Sequence, residues 1–424
     1  MTRGPRHNGR MLSGTRQDPP GNLLRPPGAS ARVTNVELFF DLVYVFAVTQ
    51  LSHYLIDHRT IEGALQALLL LAMVWLVWVY TTWVTNWLDP DRIPVRLMLL
   101  ALALASLVMS AALPFAFAGR GLAVGGAYAL MQIGRSGFAV AGLRGQRLQR
   151  NYQRILAWCV VSGSLAVTGG LVAGHARELL WLAAVAVDVL GGLVGFYTPG
   201  LGRSQTRDWT IEGNHFAERC QGFILIALGE SIVVIGAALS ALPSVTAHEI
   251  IAFLAAFTGS VGLWWLYFHR SAEESAEILA SSADPGRLGR SAYHLIHPVM
   301  VAGIIAVAAG DQLVLRSPDA VGDPAVSAML LGGTALFLLG HAAFKAAVWR
   351  TVSWTRIGGV VVLAALGGLA PFVSALVLSV CSAVVVLAVA AADYAGLGAP
   401  RPAPGQPASG TALTSRSGSG AADE

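Results

Sequence analysis

The chain of 424 residues is far more apolar than a soluble protein of this length. Hydrophobic residues make up 55% of it, charged residues 12%, and the mean hydropathy is +0.61. A typical soluble domain carries about 25% charged residues, so the composition excludes a water-soluble globular protein. The apolar content also excludes disorder over most of the chain. The net charge is only +4, and with 27 arginines against one lysine the basic residues indicate coding bias, not nucleic-acid binding.

Twelve apolar segments are long enough to cross a membrane, for which a helix needs about 20 residues. The last two form a hairpin around Pro371, because residues 357–392 contain no charged side chain. We therefore predict an all-α integral membrane protein of about twelve transmembrane helices. The predicted spans are 36–56, 64–85, 95–118, 121–141, 153–173, 178–198, 216–241, 248–269, 291–314, 326–347, 356–371 and 373–393.

The two ends of the chain differ from its membrane region. Residues 1–32 are rich in Arg, Pro and Gly and lack the apolar stretch of a signal peptide, and residues 396–424 are rich in Gly, Ala, Ser and Pro. Both are predicted to be disordered tails, the first of them basic. Between them we predict a first six-helix half over 33–198 and a second over 199–395.

The basic residues predict the orientation in the membrane. Twelve spans would place 22 of the 28 on the side of both tails and four on the opposite side. Since cytoplasmic loops are enriched in Arg and Lys, both termini are predicted to lie in the cytoplasm, with the protein in the bacterial inner membrane. A weak similarity between residues 36–50 and 217–231 leaves two parallel six-helix repeats as one interpretation of the pattern.

Three ionisable residues lie near the middle of predicted spans: Arg135, Asp188 and Glu230. Ionisable groups inside a membrane are costly and by default indicate a functional site. They would form a proton relay or a cation site, with Arg135 as counter-charge for one carboxylate. The alternative is structural: a buried ion pair, or a protonated acid bonded across helices. Spacing also places Glu37 and Asp41 one turn apart at the start of the first span, where two carboxylates repel unless a proton or cation lies nearby. They join the predicted pathway, although acids in a first turn also stabilise a helix N-terminus.

A second polar set lies at the predicted cytoplasmic ends of the spans. His215-x-x-Glu218 and His294-x-x-His297 each place two potential metal ligands on one helix face. No further metal motif accompanies them, so histidines bonded between helices are the favoured interpretation. No metal, cofactor or catalytic residue is predicted. The set consists of His215, Glu218, Arg219, His294, His297, His341 and Lys345.

The seventh span carries Gly222, Gly229 and Gly236 on one face with Glu218. Small residues allow close helix approach in lipid, so this span is predicted to be central and tightly packed, with Glu230 facing a cavity. The chain lacks a phosphate-binding Gly-x-x-x-x-Gly-Lys motif, a nucleophile elbow and a dinucleotide fingerprint. These absences argue against coupling to ATP within the chain.

Three segments resemble a known family. Residues 37–43 (Glu-Leu-Phe-Phe-Asp-Leu-Val) are similar to the first helix of the bacterial low temperature requirement A proteins. Residues 215–219, followed by 227–231, resemble that family's second block, and residues 293–311 resemble its third. The resemblance covers about residues 32–395. It implies a multi-pass membrane protein linked to growth at low temperature, and it brings no settled biochemical activity.

Three hypotheses follow for the function. The first is a secondary transporter or an ion-conducting protein that uses the buried carboxylates to move a small solute, a proton or a monovalent cation. The second is a membrane-embedded enzyme or lipid-handling protein with a His/Glu site at the cytoplasmic interface. The third is a structural or sensory membrane protein in which the polar groups only fix the helix register. The lipid bilayer is a predicted partner in all three, nucleic acid in none.

Overall fold

A computed structural model describes residues 23–25, 32–209, 211–269 and 271–396. Most of the two predicted tails lies outside these residues. The described chain is an all-α membrane protein, in which the few extended residues form isolated bridges such as the one between Leu24 and Leu88. The first six helices are α1 (Asn35–Asp57), α2 (Ile61–Trp87), α3 (Ile93–Ala112), α4 (Gly121–Gly142), α5 (Arg147–Leu171) and α6 (His175–Leu193).

The second part of the chain contains seven further helices. Two of them include a π-helical stretch, at residues 289–296 and 328–332, and are described here as continuous. The helices are α7 (Gly213–Ser240), α8 (Ala247–Phe268), α9 (Ser271–Ala280), α10 (Pro285–Arg316), α11 (Pro324–Trp349), α12 (Trp354–Leu369) and α13 (Ala375–Tyr394).

The predicted fold class is confirmed. Ten helical segments in the described part of the chain are long and apolar enough to cross a membrane, with α8 and α9 counted as one. The two predicted spans outside this group, α4 and α6, are nevertheless helical over 22 and 19 residues. The number twelve is therefore approximate. The short helix α9 was not predicted, because ten residues with two glutamates in the first turn do not resemble a span.

Local sequence signals explain where several helices begin and end. The side chain of Thr60 accepts a hydrogen bond from the backbone of Gly63 and caps α2. A 3₁₀ turn at Ala370–Phe372, around Pro371, separates α12 from α13, as the hairpin prediction required. The division into two halves and the internal repeat stay predictions.

Small residues bring α4 and α5 into close contact. A Cβ atom built on Gly125 would lie 2.1 Å from the backbone oxygen of Ala166, and one built on Gly170 would lie 2.7 Å from the oxygen of Gly121. Helices in lipid associate through such close backbone approach. The glycines of α7 behave differently: a Cβ atom on Gly222, like one on the other two glycines of that stripe, would meet nothing within 4 Å.

The prediction that the seventh span is the central one is therefore wrong. Its glycine face points away from the other helices. In the most apolar stretch of 18 residues of this helix, 50% of the residues are buried. The corresponding share is 78% for α2 and 83% for α10, so these two helices form the centre of the bundle. Other helices expose apolar faces, and this belt fits a lipid bilayer. On α3 the exposed large apolar residues are Ile93, Leu97, Leu100, Leu104, Leu107 and Val108.

Candidate functional site

A buried ion network joins α1 to α7. The guanidinium of Arg219 binds Asp41 through two bonds, Nε to Oδ2 at 2.9 Å and Nη2 to Oδ1 at 2.7 Å. Its Nη1 donates to Oε1 of Glu37 at 2.9 Å. All three residues are buried, with at most 5% exposure. The planar fork of arginine suits two carboxylates placed one helical turn apart, which explains how the like charges of Glu37 and Asp41 coexist.

A second ring of donors surrounds this network. His215 lies 3.0 Å from Oε1 of Glu37, and the Arg25 guanidinium lies 3.4 Å from Oε2. The indole N–H of Trp78 donates to Oδ1 of Asp41 at 2.7 Å. Each carboxylate oxygen of the pair thus has at least one partner. The network pins α1, α2 and α7 together and presents no free acceptor for a further ligand.

Glu230 lies deeper on α7 and has a different environment. Its side chain is buried, and one carboxylate oxygen accepts a bond from Thr49 Oγ1 at 2.6 Å. The other oxygen, Oε1, has no hydrogen-bond partner among the described residues. No ion pair between these residues includes Glu230, although the side chain of His53 is near enough to interact with its charge. This carboxylate therefore has one oxygen atom to which no described residue donates.

An aromatic layer separates Glu230 from the ion network. The two sites are eleven residues apart on α7, from Arg219 to Glu230, or about 16 Å along the helix. Between them Phe223 packs against Tyr44, Trp75 and Trp78, with ring centroids 6.0, 5.1 and 4.6 Å apart. The predicted pathway residues on α1 and α7 thus form two separate polar levels.

Arg135 and Asp188 belong to a third site, between α4 and α6. Arg135 donates to the amide oxygen of Gln132, whose amide nitrogen in turn donates to Oδ2 of Asp188. The hydroxyl of Tyr128 donates to the same oxygen. Arg135 also bonds the backbone oxygen of Val77 at 3.2 Å. Arg135 was predicted to be the counter-charge for one carboxylate, and in the structure the amide of Gln132 links its guanidinium to Asp188.

A cavity adjoins this third site. It contains about 760 Å³ of empty space, part of it open to solvent, and lies between α2, α4, α5, α6 and the start of α10. Three atoms of its lining side chains are buried without a hydrogen-bond partner among the described residues: Asp188 Oδ1, Tyr152 OH and Trp83 Nε1. Buried polar atoms nearly always have a partner, so three such atoms around one cavity are unusual.

The rest of the lining is aromatic and basic. Arg290 reaches the cavity from α10 and donates to the backbone oxygen of Gly192 at 2.7 Å. The guanidinium of Arg135 lies 5.2 Å from the ring centroid of Tyr80. The aromatic side chains of the lining are Tyr80, Trp83, Tyr152, Phe196, Trp209 and the imidazole of His294.

Residues 194–209 cover the cavity as an ordered loop. Gly195 has a φ of +69°, and a Cβ atom there would lie 2.3 Å from the backbone oxygen of Ser204, so only glycine fits. The backbone N–H of Ser204 donates to the oxygen of Gly195 at 2.8 Å. The hydroxyl of Thr206 donates to Asp284 at 2.7 Å and ties the loop to the turn before α10.

The comparisons with known proteins agree with these motifs. Residues 32–391 match the family model for the bacterial low temperature requirement A protein (LtrA). The chain belongs to the LtrA family. A relative from Rhizobium meliloti (strain 1021), an uncharacterized protein, is 36% identical over 364 residues, which cover 85% of this chain and 88% of the relative. No solved structure matches the chain.

The segments that carry the LtrA resemblance meet in space. Residues 37–43 and 215–219 supply the two sides of the ion network. Glu230 lies in residues 227–231, the second part of the same family block. The third segment lies on α10, where His294 lines the cavity and Asp311 accepts a bond from Ser379 at 3.4 Å.

The predicted cytoplasmic set is divided among several places in this LtrA protein. His215 and Arg219 belong to the ion network, whereas Glu218 is exposed on the opposite face of α7. His294 lines the cavity, and the other three members lie near one another in the second part of the bundle. His297 and His341 both contact the ring of Tyr267, and Arg356, which bonds His341, also pairs with Asp393. His297 lies 2.7 Å from the Tyr267 hydroxyl, His341 lies 3.3 Å from Ser271 and from Arg356, and Lys345 lies 3.8 Å from Asp393.

One group with metal-ligand geometry lies at the opposite end of the bundle. Ligand atoms of Glu62, His175 and Glu178 all lie within 4.8 Å of one another, and the amide of Gln66 donates to both glutamates. The sequence reading missed this group because His175 precedes the predicted sixth span. The sequence pointed to Arg135, Asp188 and His294 among the cavity residues but not to the aromatic ones such as Trp83 and Tyr152, since aromatics in spans usually belong to packing or to the membrane interface.

Proposed function

We propose that this LtrA protein is a secondary transporter whose coupling ion, a proton or a monovalent cation, is carried by Glu230. The observation that supports this is a buried glutamate with one carboxylate oxygen to which no described residue donates and without an ion-pair partner among those residues. A carboxylate in that setting is held at the lowest cost when it is protonated or when it binds a cation. Either state gives a group that accepts and releases an ion.

The ion network has a supporting role in this proposal. Because Glu37, Asp41 and Arg219 are mutually satisfied, they hold α1 and α7 in register and leave Glu230 as the free acid between the two helices. The uneven distribution of arginines supports an orientation in the bacterial inner membrane with both termini in the cytoplasm. The dispersed histidines give no support to an enzyme site at the cytoplasmic interface.

Ion flux through the reconstituted protein tests the proposal. The protein would be placed in liposomes, and internal pH and potassium would be followed under an imposed membrane potential. Glu230→Gln keeps the size of the side chain and an acceptor for Thr49 but removes the charge, and its flux should fall to that of empty liposomes. Glu218→Gln is the matched control on the same helix, because Glu218 is exposed, and its flux should equal that of the native chain.

Equal flux in Glu230→Gln and the native protein would contradict the role of Glu230. Flux lost in both variants would indicate that any charge change on α7 disturbs the protein. A purely structural or sensory protein would show no flux in any of the three chains, at every pH gradient and potential applied.

A further inference from the structure

We propose that the cavity beside Asp188 binds a small zwitterion with a planar apolar body. The proposal rests on the three partnerless atoms of the lining, on the charges around them and on the aromatic walls. It does not depend on Glu230, which lies on α7 and does not line this cavity.

Asp188 provides the site for the positive end. Its Oδ2 already accepts bonds from Tyr128 and Gln132. The residue lines the cavity, and its Oδ1 has no hydrogen-bond partner among the described residues. No arginine or lysine forms an ion pair with Asp188 among the described residues. A ligand ammonium group would supply both the missing N–H donor and the missing positive charge.

The lining of the cavity also provides donors for a negative end. Among the described residues the indole N–H of Trp83 has no acceptor, and the hydroxyl of Tyr152 has neither donor nor acceptor. Arg290 and Arg135 both line the cavity, so together with Asp188 they leave one positive charge in excess. A ligand carboxylate would use these donors and balance that charge. An amine alone would leave the Trp83 side unsatisfied, and a carboxylic acid alone would leave Asp188 unsatisfied.

The walls fit an apolar body of modest size. Trp209 meets Trp83 and Tyr152 edge-to-face, with ring centroids 6.1 Å apart in each pair. Faces of aromatic rings are good contacts for planar apolar groups.

Binding of three related probes to the purified full chain tests the proposal. L-phenylalanine carries both charges, 2-phenylethylamine carries only the ammonium, and 3-phenylpropionate carries only the carboxylate, on the same phenyl body. Isothermal titration calorimetry in detergent should detect saturable binding of L-phenylalanine. Each of the other probes should bind at least about tenfold more weakly, the usual cost of a lost charged hydrogen bond.

Two variants and one control assign the binding to this cavity. Asp188→Asn should weaken binding of L-phenylalanine by roughly tenfold or more. Because that change also affects Tyr128 and Gln132, Tyr152→Phe is the second variant: the hydroxyl it removes has no partner in the protein, so the fold is not affected. It should weaken binding by roughly three- to tenfold. Tyr267→Phe removes a buried hydroxyl away from the cavity and should leave binding unchanged.

The outcomes separate this proposal from the one for Glu230. Glu230→Gln should bind L-phenylalanine as the native protein does, even where its ion flux is lost. The proposal is overturned if none of the three probes binds saturably at millimolar concentration, which would indicate a cavity filled by water alone. Equal binding of all three probes, or binding that Tyr152→Phe and Asp188→Asn leave unchanged, would overturn it as well.

Discussion

The ion network and the Asp188 cavity contain similar polar side chains, but the two sites differ in how completely these side chains are hydrogen-bonded. In the network, Glu37 and Asp41 share one arginine and every carboxylate oxygen has a donor. In the cavity, an aspartate, a tyrosine and a tryptophan each keep a buried polar atom without a partner. The difference shows that burial of charge does not by itself indicate function in this protein. A satisfied group fixes the helices, whereas an unsatisfied one is available to a ligand or an ion.

The largest effect is expected from breaking the network. Arg219→Met leaves two carboxylates buried without their shared cation, and loss of one partner of a buried ion pair costs about 3–5 kcal/mol. We expect the variant to lose most of its folded fraction in detergent, measured by size-exclusion chromatography and thermal unfolding. A melting temperature equal to that of the native chain would contradict the structural role of Arg219.

A smaller loss is expected from removing one neutral donor. Trp78→Phe keeps the aromatic packing against Phe223 but deletes the N–H that donates to Asp41. The free energy of unfolding should fall by about 1–2 kcal/mol, measured by denaturant titration in mixed micelles. Trp75→Phe, whose indole donates to the backbone oxygen of His294 instead, is the comparison outside the network.

Removing a polar group from the cavity should have the opposite effect on the stability of the protein. Tyr152→Phe removes a buried hydroxyl that has no partner, so the unliganded protein should keep its stability or gain up to about 1 kcal/mol. Tyr267→Phe removes a hydroxyl bonded to His297 and should lose about 1 kcal/mol. Thermal unfolding of both variants checks this. Equal destabilisation by the two would contradict the difference between satisfied and unsatisfied sites.

The smallest effect is expected on the outward face of α7. Gly222→Ala adds a methyl group where nothing lies within 4 Å and should be neutral or stabilise by up to about 1 kcal/mol through helix propensity. Gly125→Ala places the same methyl group 2.1 Å from the oxygen of Ala166 and should destabilise the α4–α5 contact. The two changes distinguish a glycine used for packing from one that faces lipid.

The sequence predicted the fold class well because membrane-spanning helices are recognised by their hydropathy. Each span needs a long apolar stretch, and the hairpin at Pro371 follows from the absence of charge around it. The resemblance to the LtrA family rested on three segments, and the first two of them supply the two sides of one ion network. The sequence also predicted that Glu230 is buried.

The sequence could not predict which side chains meet between neighbouring helices. Spacing placed Gly222 and Gly229 on one face of α7 but gave no information on whether that face meets a helix or lipid. Whether Asp188 binds Arg135 directly or through Gln132 depends on the rotation of α4 against α6. Which described side chains come within hydrogen-bond distance of Trp83 Nε1 and Tyr152 OH depends on the helices opposite them, and no pattern along the chain predicts it.

Flux and stability measured on the same preparations test the central claim most directly. Native chain, Arg219→Met and Glu230→Gln would be compared by thermal unfolding in detergent and by ion flux in liposomes. We expect Arg219→Met to lose both stability and flux, and Glu230→Gln to lose flux while its melting temperature stays close to that of the native chain. Native flux in Glu230→Gln, or a loss of stability as large as that of Arg219→Met, would contradict the account.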